Sequence, residues 1–198
     1  MAKAVVSKDP VARLAERQGW ITAGAQEAAQ TVIAETLEKV GGTKLREAMH
    51  GNWLHEPLHA VMTDVPIGSW TAAVAFDAVA AISGSEGMDT AADACLVLGL
   101  LGAAGASITG MNDWAEVKEE APRRIGAVHA LLNVTATGIF VWSMVARRGT
   151  GGRAKGRALA ALGYVVASAS AHLGGNMIYE HGVGVQAQGR PLFGEERG

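Results

Sequence analysis

Four apolar runs, at residues 65–83, 94–110, 125–146 and 158–178, constrain this chain more than any other feature. Each is close to the roughly 20 residues a helix needs to cross a bilayer. Each is also apolar nearly all the way round rather than along one stripe, the pattern of a helix without a wet face. Composition agrees, since 49% of the 198 residues are hydrophobic, only 18% are charged and 26 are glycine. The mean hydropathy is a modest +0.17, because alanine and glycine score low, and this keeps a soluble bundle of four buried helices as the alternative. Short connections between the runs force antiparallel neighbours. The expected fold is all-α, an integral-membrane, up-down-up-down four-helix bundle over 53–182. An amphipathic helical arm at 1–52 precedes it, and a short polar tail at 183–198 follows.

The arm is read from its punctuation. Asp9 before Pro10 is a helix start, because the carboxylate accepts from first-turn amides and proline has no amide to leave unbonded. Gly41-Gly42 reads as the matching stop. Between them Leu14, Trp20, Ile21, Ala25, Ala28, Val32 and Ile33 recur at helical spacing against Arg13, Glu16, Arg17, Glu27 and Glu35. The arm is expected to lie on the membrane or on its own bundle, with a partner-binding helix as the sharper alternative. A second short helix is expected over 43–49.

Several classes drop out. A net charge of -2 gives no case for nucleic acid, and the single Cys95 can build neither a disulfide framework nor a cysteine metal cluster. Residues 1–10 lack the apolar core of a signal peptide. No HExxH, Glu-x-x-His pair, CxxCH or phosphate loop is present, and no nucleophile sits beside a base, so enzymatic turnover has no direct support.

The polar residues inside the apolar half remain to be explained, because a buried polar group costs several kcal/mol without a partner. Up-down topology gathers the start of the first span, the end of the second, the start of the third and the end of the fourth at one face. His55, His59, His129, His172 and His181 converge there, and Asp77, Asp93 and the arginines mark the other end. His129 lies about one turn into its span and His172 about one and a half turns before the end of its own, so their depths are similar. His55, His59, Thr63 and Pro66 share one helix side; so do Gly126, His129, Asn133 and Thr137, and Ser168, His172, Gly175 and Asn176. The second span offers a small-residue seam of Cys95, Gly99, Gly102, Ala106 and Thr109.

Histidines from different helices at one depth, with Gly110, Gly126, Gly174 and Gly175 leaving room for a flat macrocycle, are what a b-type haem requires. The expected cofactor-binding residues are His59, His129, His172, Asn133 and Asn176. The same imidazoles could instead hold zinc or iron, with His59, His129 and His172 as nitrogen ligands and Asp64 or Asp113 supplying oxygen. Read structurally, His50, His55 and His181 are interfacial, Asp64 is a cap or hydrogen-bond partner near its helix start, and Asp77 pairs with Arg147 or Arg148. Trp53, Trp114 and Trp142 serve as interfacial anchors.

Several motifs in order carry a resemblance: Trp53-Leu54, Pro57-Leu58-His59, Thr63-Asp64-Val65-Pro66-Ile67-Gly68-Ser69-Trp70, Asp77, His129-Ala130-Leu131-Leu132-Asn133, Arg147, and Leu173-Gly174-Gly175-Asn176-Met177-Ile178-Tyr179-Glu180-His181. Over about 49–185 the chain resembles the bacterial DUF2231 family of predicted membrane proteins. The resemblance implies a four-helix integral membrane protein, and relatives fused at the carboxyl end to a Rieske iron-sulfur domain point to redox chemistry. Two departures stand out. Relatives read Gly-His-Pro-Leu-His-Pro where this chain has His55-Glu56-Pro57-Leu58-His59-Ala60, and many carry histidine at the position of Asn176 and tyrosine at that of His172. His59 and His129 are therefore the firmer ligands.

The functional expectation is a multi-pass protein of the bacterial inner membrane that binds haem b and passes electrons. Its alternatives are a haem-free metal-binding protein and a structural or partner-docking bundle. Expected partners are the lipid bilayer and a separate Rieske-type or other redox protein, and a homo-oligomer stays open. Both termini are placed in the cytoplasm, because a charged arm without a signal would otherwise have to be translocated.

Overall fold

The computed structural model describes residues 7–19, 21–149 and 152–184. Helix α1, Pro10–Glu16, starts as its sequence dictates: the Asp9 carboxylate accepts from Val11 N at 2.7 Å and Ala12 N at 2.9 Å. The arm then departs from expectation. α1 stops after seven residues, and α2, Ala23–His50, begins afresh with the Thr22 hydroxyl accepting from Ala25 N. Trp20 and most of the expected polar tail lie outside the described residues.

α2 is broken at Gly42, whose φ of 64° and ψ of -170° belong to glycine alone. The break reverses the chain. Gln30 donates to Trp114 O and Val117 O, while His50 reaches Asp113 and Glu116. A straight helix would hold residues 30 and 50 about 30 Å apart, yet both meet the same end of one neighbouring helix. Gly41-Gly42 is thus the stop expected of it and also the bend of a helical hairpin; the second short helix expected over 43–49 is its second leg, which Gly51, at φ 80°, closes.

After a 3-10 turn, Asn52–Leu54, four long helices follow: α3 Leu58–Ser83, α4 Glu86–Ala115, α5 Glu120–Arg147 and α6 Gly152–Tyr179. They contain the four apolar runs, each lengthened by between one and a little over two turns at its N-terminal end. All are long and apolar enough to cross a membrane, and only 22 to 33% of each apolar stretch is buried within the protein. Ile82, Leu101, Val134, Val145 and Val165 are exposed. A soluble bundle would hide such side chains against one another, whereas a lipid-facing one leaves them outward. The fold is all-α, and the membrane reading prevails over the soluble one.

The chain divides into two compact units. One comprises Met62–Ala106 and Leu131–Ser170. Its core is Trp70, Ala73, Leu96, Ala103, Ala136, Phe140 and Ala160, with the Trp70 and Phe140 rings stacked at 4.1 Å. The expected small-residue seam is present: a Cβ at Gly99 would strike the Trp70 indole, and one at Gly102 would strike Val65 and Pro66. This unit also holds an ionic cluster. The Arg147 guanidinium spans Asp77 and reaches Asp93 at 3.0 Å, Arg153 bonds Asp93 at 2.6 Å, and Arg157 bonds Asp89 at 2.7 Å. Of the two expected partners for Asp77, Arg147 is the one it takes.

The other unit comprises Met1–Val61, Ser107–Ala130 and Ala171–Gly198, so it gathers the four helix ends that up-down topology places together. The arm belongs to it. Arg124 donates to Glu16 O, Arg123 pairs with Glu27, Arg46 pairs with Glu116 at 2.9 Å, and Asn176 donates to Ser7 Oγ. The face the arm buries is not its apolar stripe: Ala12, Ala15, Gln26, Gln30 and Met49 are covered, whereas Leu14 and Val32 are exposed. The partner surface explains this inversion. The last carbonyls of a helix lack the full set of amide donors found in its interior, and the Gln30 amide donates to Trp114 O and Val117 O where a valine could not.

Candidate functional site

Two imidazoles meet in this second-described unit. His59 sits in the first turn of α3 and His129 near the tenth residue of α5, and their ring centres lie 6.4 Å apart with planes at 90°. Each ring rests against a glycine. A Cβ on Gly110 would come within 2.7 Å of His59 Cε1, and one on Gly174 within 2.9 Å of His129 Cε1. The absence of a side chain at these positions is what lets α4 and α6 back onto the rings. Thr109, buried on α4, places its Oγ1 3.5 Å from His59 Nδ1. Gly126 does the same service for Trp114 and Met177, and Trp114 donates to Arg123 O at 3.0 Å.

The other expected residues are placed differently. His172 is exposed on α6, and its Nε2 meets Asp9 Oδ2 at 2.6 Å. Ala12 and Val11 amides and His172 together hold the Asp9 carboxyl below its ordinary range, the Ala12 hydrogen bond most of all. Asn176 is buried and gives its amide to Ser7. Among the described residues its Oδ1 has no hydrogen-bond partner. On the α6 side expected to face inward, Ser168 and His172 are exposed; it is Gly174, not Gly175, that touches an imidazole. Asn133 and Asp64 fall in the other unit, and Asp64 is exposed in the second turn of α3 rather than capping it. Among the described residues no three His, Cys, Asp or Glu side chains come close enough to hold a metal ion.

His50 is the residue whose role the sequence concealed. Expected as an interfacial histidine, it is half-buried between Asn112 and Asp113 of α4 and Glu116 just beyond that helix. The Asp113 hydrogen bond above all, with Glu116 beside it, pushes the imidazole above its ordinary value despite the opposing effect of burial. The signal was present in Asn112-Asp113, two polar residues at the end of an apolar run, which require a partner once buried. His55 is exposed in a left-handed conformation, φ 59°, and Trp53 is exposed and donates to Ala48 O.

The arrangement brings two imidazoles from different helices into edge-on contact. Neither a curated protein nor a solved structure matches the chain. The family model for DUF2231, described as a predicted membrane protein, matches residues 55–187. It covers both imidazoles, both glycines behind them and all four long helices, and the chain belongs to that family of predicted membrane proteins.

Proposed function

We propose that this membrane protein binds a b-type haem through His59 and His129 and passes electrons. The observation that carries the reading is the pair itself. The ring centres lie 6.4 Å apart, edge-on, on two different helices. His59 and His129 would hold the haem iron, a group that needs fewer ligands from the protein than the three or four zinc takes.

Bound haem would supply reversible one-electron chemistry at its iron. The chain's own residues do the rest. Gly110 and Gly174 fix how far each ring stands from its neighbouring helix. Thr109 Oγ1 stands 3.5 Å from His59 Nδ1 and helps to set the plane of the ring. His172, engaged by Asp9, anchors the arm rather than serving as a ligand.

The site lies in the unit that carries the arm, so an electron partner would approach there as a separate protein. The reading places the protein in the bacterial inner membrane with both termini cytoplasmic. Cysteine labelling of an introduced site in the 31–45 hairpin, in intact cells and in inverted vesicles, tests that side.

The experiment is an absorption spectrum of the detergent-purified protein, oxidised and dithionite-reduced, expressed with ample haem and checked by metal analysis. A Soret band with sharp reduced α and β bands, lost in both His59→Ala and His129→Ala, is the expected result. A protein that stays colourless after haem is added back refutes the reading; stoichiometric zinc or iron in that sample would establish the metal alternative.

A further inference from the structure

The unit built around Trp70 and Phe140 carries more cations at its α5–α6 turn than its own carboxylates hold. Arg147, Arg148, Arg153, Lys155 and Arg157 crowd into this short stretch. Arg147, Arg153 and Arg157 are engaged by Asp77, Asp93 and Asp89. Arg148 and Lys155 are exposed, and among the described residues neither has a carboxylate partner, Glu86 at the start of α4 included. Two cations are left for something outside the chain.

The backbone around them is firmly set. Ser143 donates to Gly156 O at 2.7 Å, and a Cβ at Gly152 or Gly156 would strike Ala146 O or the Arg147 side chain, so α5 and α6 lie in close contact here. Trp142 and Lys155 each adjoin one of the two bonded residues and emerge side by side. The indole is 54% exposed, and Lys155 Nζ sits 5.3 Å from its ring centre. A lysine near the end of a membrane helix ordinarily stretches toward water. This one is held over an aromatic face, where the ring quadrupole attracts the ammonium.

The surface continuing from these cations is apolar. Val141 and Val145 fall on the same side of α5 as Arg148, and Leu162 and Val165 on the same side of α6 as Lys155. All four are exposed. Each helix thus presents an apolar stripe that ends in a cation the chain does not neutralise, and the two stripes meet at the Trp142–Lys155 contact. Exposed tryptophan on a membrane helix belongs at headgroup level, which is the level of lipid phosphate. A free anion would match the charges and leave the stripes unused; a phospholipid matches both.

We propose that Arg148 and Lys155 hold the phosphate of an anionic phospholipid beside the Trp142 ring, with its acyl chains along Val141, Val145, Leu162 and Val165. Lys155 offers a charge already held in place by the indole, so little side-chain freedom is lost on binding. Arg148 offers a planar fork that matches two phosphate oxygens. Nothing in this site depends on haem.

The full-length protein is reconstituted in bilayers of equal parts phosphatidylcholine and phosphatidylglycerol, with dibrominated chains on one lipid or the other. Quenching of Trp142 is read as the difference between each protein and its Trp142→Phe counterpart. One basic group near an anionic surface favours it about fivefold, so phosphatidylglycerol should be preferred at Trp142 by up to about thirtyfold in the wild type. The preference should fall to about fivefold in Arg148→Gln or Lys155→Gln and vanish in the double variant. These side chains are exposed, so the fold is kept. Lys44→Gln/Lys118→Gln, which removes two exposed cations of the other unit, should leave the preference unchanged. No preference in the wild type, a preference that survives the Arg148→Gln/Lys155→Gln pair, or one lost equally in Lys44→Gln/Lys118→Gln overturns the proposal. So does displacement of the lipid by millimolar inorganic phosphate at constant ionic strength, the mark of a site for the free anion.

Discussion

Removing Asp77 should damage the protein far more than removing its neighbour Asp93, although Arg147 bonds both. The side chains of Arg147 and Asp77 are 3% and 5% exposed, and that of Asp93 is 41% exposed. Arg147 Nη1 meets Asp77 Oδ1 at 2.8 Å, its Nη2 meets the second carboxylate oxygen, and its Nε meets Ser143 Oγ at 3.2 Å. Asp77→Ala leaves a guanidinium buried with its two-pronged partner gone, a loss of about 3–5 kcal/mol. In a chain of this size each kcal/mol moves the melting temperature by roughly 2–4 °C, so a fall of about 6 °C or more is expected. Asp93→Ala, which breaks a half-wet contact, should cost about 1 kcal/mol or less. The assay is thermal unfolding in detergent followed by circular dichroism, with Asp77→Leu/Arg147→Leu completing the cycle. The double variant should recover most of the loss, because two apolar residues carry no stranded charge. If Asp77→Ala melts no lower than Asp93→Ala, or if the double variant is worse than the single, the pair is not the stabilising element argued here.

Three further outcomes follow from other parts of the chain. Gly110→Ala and Gly174→Ala each place a methyl group within 3 Å of an imidazole carbon, so both should displace a ring and weaken haem retention, read as loss of Soret absorbance on gel filtration; Gly175→Ala, with no neighbour nearer than 4.0 Å, should retain it. Because His50 binds its proton more tightly folded than unfolded, its contribution is complete below about pH 6.5 and is lost as pH rises through the higher folded value; arm protection, read by limited proteolysis, should fall over that window in the wild type and stay level in His50→Gln. Gly42→Ala forces a side chain into backbone space open only to glycine and should cost on the order of 1–3 kcal/mol; a spin-label pair at positions 30 and 46 should then report a longer distance.

Much of the fold was legible because lipid imposes a length and an all-round apolarity that few other environments require. The four helices, the Asp9 cap, the glycine seam of α4 and the Asp77–Arg147 pair all follow from that. The arm was misread for a physical reason. Periodicity finds an apolar stripe and assumes it is the buried one, yet the surface this arm covers is made of helix-end carbonyls and charged side chains. Gln26 and Gln30, four residues apart and both buried, were the better guide. The Gly42 reversal was hidden because paired glycines signal a break without stating the direction in which the chain leaves. At the site, topology matched the depths of His129 and His172, whereas the ring contact formed is between His59 and His129; it could not foresee that Asp9, far off in sequence, would engage His172.

The partners of the histidines also sort them by role. His50 and His172 each meet a carboxylate, within 2.9 Å and 2.6 Å, and each joins the arm to α4 or α6; these bonds account for their positions. His59 and His129 carry a different signature: a glycine lies behind each ring, a hydroxyl lies 3.5 Å from Nδ1 of the first, and the two rings meet edge-on. Stability alone would be better served by two packed apolar side chains, since polar contacts between membrane helices contribute only about 0.6 kcal/mol on average. The haem proposal accounts for that cost: two side chains are given up on neighbouring helices to seat two imidazoles edge-on.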